Sequence, residues 1–451
     1  MIDRLIFLSL PGLRPGDLHD PNLTPYLHAL SIHGASTALL PTFPAVTSPV
    51  QANMLTGAGP AAHGVIANGF YDRQRHAVDF WTGRHGVFDR PSFFTRLAKE
   101  RPDVTSAVWH AQNIKDAEAT YIVTPAPIHE RDGRMRLWCY SKPDDLYADL
   151  LKALGHFPLQ HYWGPLAGIQ STQWIMQAAL WLARRHAPKF QYIYVPHLDY
   201  AAQKFGPNSP QALKALGELD TALGEFMEQH DALPGAEGTA WVLAGEYALT
   251  PVSGVVYPNR ILRSAGLLKL SEEAGREYLD LSASSAFAMV DHQFAHVYVQ
   301  NGHPEAVADL FRSEPGIEDV VVGRERGAVG LDHPRSGEVI LISRPDAWFA
   351  YYWWLDPAQA PPFARTVDIH AKPGYDPVEL FVKMPERSTL LEATLVKGSH
   401  GAPPIEPDQR TVLITTHEEL LQGLPTPLRD TDVYTLLCRA FGLSSELRIE
   451  S

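Results

Sequence analysis

The sequence predicts a doubly wound α/β fold with a mainly parallel central sheet. From Phe93 onward, segments with helical periodicity alternate with short apolar runs, of which Val104 to Trp109 is the first. Continuous apolar runs of this length are typical of strands that are buried on both faces. Because strands that alternate with helices pair in parallel, the order of the segments indicates one sheet with helices on both sides.

The N-terminal segment predicts the first buried strand. Residues 1–12 contain a short apolar run that could be mistaken for a signal peptide, but the run is too short and has no small-residue cleavage site. A helix is expected next, from Thr24 to Leu30, because Pro25 stands at its first position. The chain then returns to a proline-rich turn that is described below.

Residues 111–165 interrupt the alternation of helices and strands. The segment is rich in aromatic residues and contains several residues that break regular structure, namely Pro125, Pro127, Gly133 and Pro143. A long excursion of this kind between core elements usually forms the wall or the lid of an active site. We therefore expect it to border the functional site.

Two later strands end in carboxylate side chains. Asp199 follows the apolar run Phe190 to Val195, and Glu246 follows the run Thr239 to Leu243. In open parallel sheets, ligands bind just beyond the carboxyl ends of the strands. Both carboxylates are therefore expected at one functional edge of the sheet.

The whole chain, residues 1–451, is expected to form one domain with a small α/β subdomain inserted at residues 251–395. No flexible linker flanks this insertion. It contains the densest aromatic cluster, Trp348 to Trp354, which either stacks against a ligand or packs the subdomain onto the core. A late strand, Val412 to Thr415, and a helix from Thr431 to Phe441 complete the fold.

The composition limits the classes of partner. A net charge of -13 argues against binding to a nucleic-acid polymer or to an acidic membrane surface, since either needs a basic field. Only two cysteines are present, Cys139 and Cys438, which fits a reducing compartment. No apolar run reaches the roughly 20 residues of a membrane-spanning helix. We expect a cytoplasmic protein without a membrane partner, and the sequence does not indicate an oligomeric state.

The proline-rich stretch from Leu40 to Pro49 is the part of the chain most typical of a functional site. It ends with Thr47 and Ser48 in front of an apolar run, so that a hydroxyl lies at or near the N-cap of a helix. Backbone N–H groups and the helix dipole favour an oxyanion there. The hydroxyl either caps the helix or acts as a nucleophile.

The residues around this turn resemble a known family. Phe43-Pro44-x-x-Thr47, Leu55-Thr56-Gly57 and His63-Gly64-x-x-x-Asn68 occur in the order found in the alkaline phosphatase superfamily, and they are most similar to its nucleotide pyrophosphatase/phosphodiesterase branch. The resemblance implies that Thr47 is the nucleophile and that Asn68 helps to hold the phosphoryl oxygens.

The same resemblance implies two divalent metal ions that flank the phosphoryl group. Asp199 matches one carboxylate ligand, Glu246 stands where another Asp is expected, and His400 in Gly398-Ser399-His400-Gly401 matches the final histidine. These three residues are the candidate ligands that remain.

The other positions of the ligand set have changed. Pro11 replaces an Asp, Gln203 replaces a His four residues after Asp199, and Tyr247 replaces the His that follows the second carboxylate. Proline cannot bind a metal, and a neutral amide oxygen is a weak ligand. We therefore expect at most one divalent ion per chain, zinc or another.

Two further positions could contribute ligands. Asp368 and His370 are two residues apart, so that on a strand they would share a face, although a salt-bridged Asp and a structural His are about as plausible. His292 and His296 have a spacing of four, which would also share one face of a strand, but a metal role is the less favoured interpretation for them.

Together these features predict metal-assisted phosphoryl transfer through Thr47. The substrate would be a small phosphate-containing molecule, either a phosphodiester, a pyrophosphate or a phosphomonoester. The alternative is a protein of the same fold that binds a phosphate ligand and has lost its chemistry, which the replacements at Pro11, Gln203 and Tyr247 favour.

Overall fold

The computed structural model describes residues 2–81, 83–129 and 135–445. A nine-stranded sheet forms the centre of the fold. In chain order its strands are β1 (Arg4–Ser9), β2 (Ala35–Leu40), β3 (Ser106–Trp109), β4 (Tyr121–Pro125), β5 (Cys139–Lys142), β6 (Phe190–Tyr194), β7 (Thr239–Ala244), β8 (Thr411–Thr415) and β9 (Leu428–Arg429).

The strands lie in the order β9-β2-β8-β7-β1-β6-β3-β4-β5. Neighbours from β7 to β4 pair in parallel, with Leu5 of β1 between Phe190 of β6 and Ala240 of β7. Strand β8 is antiparallel to both of its neighbours, and β5 is antiparallel to β4. The expected mainly parallel α/β sheet is confirmed, although the late strand Thr411–Thr415 runs in the opposite direction.

Eleven α-helices are found among the described residues. They are α1 (Pro25–His33), α2 (Thr47–Thr56), α3 (Pro60–His63), α4 (Phe93–Glu100), α5 (Leu146–Leu154), α6 (Ile169–His186), α7 (His197–Phe205), α8 (Pro210–Asp231), α9 (Pro258–Ser264), α10 (Pro304–Asp309) and α11 (Asp432–Ala440). In the described part of the chain, no helix combines the length and the apolar character that crossing a bilayer requires.

The apolar side chains of β1 alternate between the two faces of the sheet. Leu5 and Phe7 pack in a core with residues of α2, α4 and α11, whereas Ile6 and Leu8 pack in a second core with residues of α5, α6 and α8. Both faces are therefore covered by helices, which is why the four central residues of the strand, Leu5 to Leu8, are all apolar.

The segment between β7 and β8 contains a second, smaller sheet. Its four strands are Ala286–Asp291, Phe294–Val299, Ile317–Val322 and Val339–Ser343, and shorter strand pairs surround it: Gly254–Val256 with Ala347–Phe349, Lys269–Glu273 with Arg276–Asp280, Val382–Lys383 with Ser388–Thr389, and Thr250–Pro251 with Gly398–Ser399. Outside this segment, Gly69–Asp72 pairs with Ala77–Phe80, and Ile128–His129 pairs with Met135–Arg136.

The aromatic cluster Trp348 to Trp354 lies in the core of this segment. All seven side chains are buried, in one cluster with Phe287 and Tyr298 of the smaller sheet and with Val46 and Ile66 from the region around α2. The cluster therefore supplies packing, which was one of its two interpretations, and it fixes the insertion against the part of the chain that carries Thr47.

Candidate active site

Thr47 is the first residue of α2, at the carboxyl-end edge of the sheet. Val46 is the N-cap residue, and no side chain caps the helix. The Thr47 hydroxyl instead lies 3.0 Å from the phenol oxygen of Tyr247. The interpretation of Thr47 or Ser48 as a simple cap does not hold in this structure, because neither hydroxyl accepts a bond from the first turn.

Tyr247 links Thr47 to the predicted metal ligands. Its hydroxyl donates to Asp199 Oδ2 over 2.9 Å. A phenol has one proton, so when Asp199 is ionised the Thr47 hydroxyl donates to Tyr247. The Tyr247 ring is stacked on the His400 imidazole with 3.6 Å between the ring centres. Thr47, Asp199 and His400 therefore all contact one side chain, whereas their catalytic and metal-binding roles stay predictions.

Glu246 is held at the end of β7 by two neutral donors. Its Oε1 atom accepts from Ser9 Oγ and from Gln51 Nε2, each over 2.7 Å, and its Oε2 atom has no partner. Burial raises the pKa of Glu246 to about 8 and the pKa of Asp199 to about 7, because the charged carboxylate loses its hydration. Neither carboxylate has a Lys or Arg partner among the described residues.

His400 presents one free ring nitrogen. Its Nδ1 atom lies 2.8 Å from the carbonyl oxygen of Ala45, and Nε2 has no partner. Burial lowers the pKa of His400 to about 3, so the ring is neutral and Nδ1 carries the proton that it donates to Ala45. Nε2 is then a lone-pair donor, as is the unpartnered Oδ1 atom of Asp199.

Asn68 occupies a supporting position. Its Oδ1 atom accepts from the backbone N–H of Ser48 over 2.9 Å, and its amide nitrogen donates to Asp291 Oδ1 over 3.1 Å. The side chain is buried and ties the start of α2 to the smaller sheet. The bond to Asp291 uses one of the two N–H groups of the amide, so the other is available to a phosphoryl oxygen, and that role stays a prediction.

Asp368 and His370 do not lie on a strand, so the expectation that they share a strand face is wrong. Residues 368–370 form a coil and turn, in which Asp368 Oδ1 accepts from the backbone N–H of His370. Both residues nevertheless line the cavity that contains Thr47 and Asp199. A turn, and not the expected strand, therefore places the two side chains at the cavity.

His292 lies at the site, but not on the strand face that its spacing of four from His296 predicted. It lies in the turn before the strand Phe294–Val299, with a left-handed φ of 59° that is costly for a non-glycine residue. Its ring lies 3.5 Å from the Tyr375 ring and 3.7 Å from the His400 ring. His296 instead contacts the Ile66 carbonyl, so the two histidines do not share a face. No motif in the sequence identifies this position.

A cavity of about 450 Å³ opens above Thr47. The predicted wall segment lines one side of it with Pro125, Pro127, Leu137, Leu159, Gln160, Tyr162, Trp163 and Pro165. Residues from the rest of the chain complete it, among them Trp81, Tyr194, Asp199, Tyr200, Tyr247, His292, Asp368, His370 and Tyr375. The expectation that residues 111–165 border the site is confirmed for the described part of that segment.

The donor set does not form the two-metal centre that the sequence motifs imply. Over residues 2–81, 83–129 and 135–445, no three His, Cys, Asp or Glu side chains come together in a way that could hold a metal ion. The Gln203 amide oxygen accepts from the Tyr375 hydroxyl over 2.6 Å, and the Tyr247 hydroxyl is used by Thr47 and Asp199. Each of the two replacements is thus hydrogen-bonded to neighbouring side chains, Gln203 to Tyr375 and Tyr247 to Thr47 and Asp199.

The sequence of this chain is similar to one protein family model and to several known proteins. The family model described as type I phosphodiesterase/nucleotide pyrophosphatase matches residues 5–376. An uncharacterized pyrophosphatase/phosphodiesterase of Schizosaccharomyces pombe is 22% identical over 66% of this chain and 54% of its own length. Ectonucleotide pyrophosphatase/phosphodiesterase 1 of Saccharomyces cerevisiae is 22% identical over 98% of this chain and 57% of its own length. The chain thus spans slightly more than half the length of these relatives.

Solved structures share the fold over nearly the whole chain. Phosphonoacetate hydrolase from Sinorhizobium meliloti, in complex with phosphonoacetate, superimposes with a TM-score of 0.63 at 18% identity, covering 97% of this chain and 96% of the other. Murine ectonucleotide pyrophosphatase/phosphodiesterase 5, as an inactive threonine-to-alanine variant with AMP, gives 0.60 at 14% identity, covering 100% and 97%. At these identities the likeness establishes the fold.

Proposed function

Because the chain belongs to the type I phosphodiesterase/nucleotide pyrophosphatase family, we propose that it is a phosphoryl-transfer hydrolase with Thr47 as its nucleophile. The observation that carries the proposal is the position of the Thr47 hydroxyl. It lines the cavity at the start of α2 and is hydrogen-bonded to Tyr247, although a helix cap would bind a backbone N–H.

The substrate in this proposal is a small phosphate ester, diester or pyrophosphate. The solved neighbours are described in complex with phosphonoacetate, phosphonoformate and AMP, all of which carry a phosphorus oxyacid group. In one of them a threonine-to-alanine variant is described as inactive, which supports a threonine nucleophile in this fold. A cavity of about 450 Å³ is within the usual range for small-molecule sites.

In the proposed reaction, Thr47 Oγ1 forms a bond to phosphorus, the bond from phosphorus to the leaving oxygen breaks, and the hydroxyl proton of Thr47 ends on the leaving group. Water then releases the phosphoryl group from Thr47. Splitting one displacement into two is the general advantage of a covalent intermediate. Tyr247 holds the Thr47 hydroxyl in one orientation before the attack, since the hydrogen bond to Asp199 fixes the phenol itself.

Members of this family typically use divalent metal ions, and we expect at most one tightly held ion per chain here. Asp199 Oδ1 and His400 Nε2 are the unpartnered donor atoms that remain beside Tyr247. Pro11 supplies no ligand, and Gln203 and Tyr247 are engaged in hydrogen bonds. Two equivalents of zinc after dialysis would contradict this expectation.

The second candidate is a binding protein without turnover. The observation that favours it is the set of hydrogen bonds made by Tyr247 and Gln203. Both residues stand at positions where the family has metal ligands, and their neutral side chains already have partners. A site of this kind could hold a phosphate ligand without activating the attack.

The two candidates are separated by replacing the hydroxyl alone. Purified protein is analysed for metals and assayed against aryl phosphate monoesters, diesters and phosphonates with each common divalent cation. Thr47→Ala should lower turnover by at least about 100-fold, because the covalent step is lost. Ser48→Ala, one residue along the same helix, should leave turnover within about twofold.

Metal content and thermal stability should be nearly unchanged in Thr47→Ala if the residue is a nucleophile. Thr47→Ser, which keeps a hydroxyl, should retain part of the turnover. A Thr47→Ala variant with full turnover would exclude Thr47 as the nucleophile. A wild type that is inactive over the whole panel, with every cation, would favour the binding protein.

A further inference from the structure

The turn between two strands of the smaller sheet reaches the candidate active site. Strand Ala286–Asp291 ends and strand Phe294–Val299 begins with only His292 and Gln293 between them. The backbone N–H of Gln293 donates to the carbonyl oxygen of His400 over 2.9 Å, and the His292 ring lies against the His400 ring. The insertion therefore places the end of a strand directly beside the site.

Asp291, the last residue of the first of these strands, holds Asn68 by two hydrogen bonds. Its Oδ2 atom accepts from the backbone N–H of Asn68 over 2.8 Å, and its Oδ1 atom accepts from the side-chain amide over 3.1 Å. Asp291 is fully buried, and among the described residues no Lys or Arg pairs with it. A carboxylate offers an oxygen to each donor, whereas an asparagine here would turn an NH2 group toward one of them.

These bonds fix the direction in which the Asn68 amide faces. Its Oδ1 atom accepts from the backbone N–H of Ser48 over 2.9 Å, in the first turn of α2. A reversed amide would place its NH2 group against the Ser48 N–H and its oxygen against the Asp291 carboxylate. Both contacts would become repulsive. The amide thus keeps one N–H without a partner among the described residues, next to the peptide between Thr47 and Ser48.

From these contacts we propose that Asp291 is a positioning residue for phosphoryl transfer, an inference that rests on the proposed function. Asp291 fixes the Asn68 amide, and the amide then does two things. Its remaining N–H donates to an oxygen of the phosphoryl group, and its oxygen holds the first turn of α2, where Thr47 lies. A donor that is oriented before the reaction stabilises the charge of the transition state without first having to turn.

A second buried carboxylate that is bonded to α2 provides a matched control. Asp430 is also fully buried, and it accepts from Asn53 Nδ2 over 2.7 Å and from the backbone N–H of Thr42 over 2.9 Å. Asn53 lies in α2 more than one turn beyond Thr47, and its amide oxygen lies 2.8 Å from His63 Nε2. The two carboxylates are therefore alike in burial and bonding, but only Asp291 acts on the start of the helix.

The first test replaces each carboxylate by its amide. Assays are run at about pH 8, because burial raises the pKa of Asp291 to about 7. On the best substrate of the wild type, Asp291→Asn should lower kcat at least about tenfold and leave KM within about threefold, since the donor acts on the transition state. Asp430→Asn should leave kcat within about threefold, although both variants lose thermal stability.

A double variant separates the loss of the donor from the loss of stability. Asn68→Asp combined with Asp291→Asn exchanges the two side chains and lets all three hydrogen bonds form again. The carboxylate then accepts from the Ser48 N–H and from the new amide, and the oxygen of that amide accepts from the backbone N–H of position 68. Thermal stability should return close to the wild-type value. The kcat should stay low, because a carboxylate has replaced the N–H donor.

Three results would overturn the proposal. The first is a kcat within about twofold of wild type in Asp291→Asn. The second is an equal loss of kcat in Asp291→Asn and Asp430→Asn at a similar loss of thermal stability. The third is recovery of both stability and kcat in the exchange variant, which would mean that Asp291 supports the fold alone.

The failure of this inference and that of the proposed function can be told apart with orthovanadate, which can adopt the five-coordinate geometry of phosphoryl transfer. Its binding to wild type and to Asp291→Asn is measured by calorimetry. Binding at least about tenfold weaker in the variant, without turnover by the wild type, would leave the positioning role in place and remove the hydrolase. Loss of turnover in Thr47→Ala with an unchanged kcat in Asp291→Asn would leave the hydrolase in place and remove the positioning role.

Discussion

Two clusters of buried carboxyl groups in this chain differ in whether a positively charged side chain balances them. In one, Lys372 Nζ lies 2.8 Å from Asp376 and 2.6 Å from Glu379, and all three side chains are almost fully buried. In the other, Asp199 and Glu246 each keep one oxygen without a partner. The first cluster contains its own cation, whereas the second, as far as the described residues show, contains none.

The difference lies in what opposes the effect of burial on each carboxyl. Burial raises the pKa of Glu379, and Lys372 opposes that rise through its charge and its hydrogen bond. The pKa values of Asp199 and Glu246 are raised by burial with only neutral donors in opposition. Such carboxyls take up a proton or a cation when they are removed from water. The charge of the Asp199 cluster is therefore balanced by a proton or a cation that no Lys or Arg among the described residues supplies.

Removing the positive charge of Lys372 should have the largest effect on the free energy of unfolding. Lys372→Met leaves Asp376 and Glu379 buried without a counter-charge, and breaking a buried pair in this way costs about 3–5 kcal/mol in the free energy of unfolding. Denaturant titration measures the loss. Lys383→Met removes an exposed pair with Glu386 and should cost less than about 0.5 kcal/mol. Equal losses in the two variants would remove the contrast between the clusters.

Removing the phenol that bridges Thr47 and Asp199 should have an intermediate effect. Tyr247→Phe leaves Asp199 with both oxygens unpartnered, and an unsatisfied buried group costs about 1–3 kcal/mol. Tyr351→Phe is the matched control, because the Tyr351 hydroxyl is buried without a partner, so its removal should be neutral or stabilising. If Tyr247→Phe were as stable as wild type, water or a ligand would already satisfy Asp199.

The third prediction concerns how stability depends on pH. The folded-state pKa of Glu246 is raised to about 8, so the stabilisation is complete below its unfolded pKa and is lost as pH rises through the folded value. Glu246→Gln should therefore gain thermal stability relative to wild type progressively from about pH 5 to about pH 8, with little difference near pH 4. Scanning calorimetry against pH measures the gain. Glu386→Gln, on the surface, should follow the wild-type profile.

The sequence predicted the general location of the site more accurately than its bonding. Asp199 and Glu246 lie beyond the carboxyl ends of β6 and β7, as the alternating pattern of strands and helices implied. The strand expected at Asp368 and His370 is absent, since a spacing of two residues is compatible with a turn as well as with a strand. The role of Glu379 in holding Trp163 and Asp368 could not be inferred, because no local pattern records a long-range hydrogen bond.

The sequence by itself determined the alternation of strands and helices, the position of Thr47 at the start of a helix, and the replacement of metal ligands at Pro11, Gln203 and Tyr247. Only the tertiary structure decided what those replacements do. Tyr247 contacts Thr47 across 200 positions of the chain, and Tyr375 contacts Gln203 across 172. Such bonds depend on how the sheet and the insertion pack. The same packing excludes water from Asp199 and Glu246, and this raises their pKa values beyond what any local sequence pattern specifies.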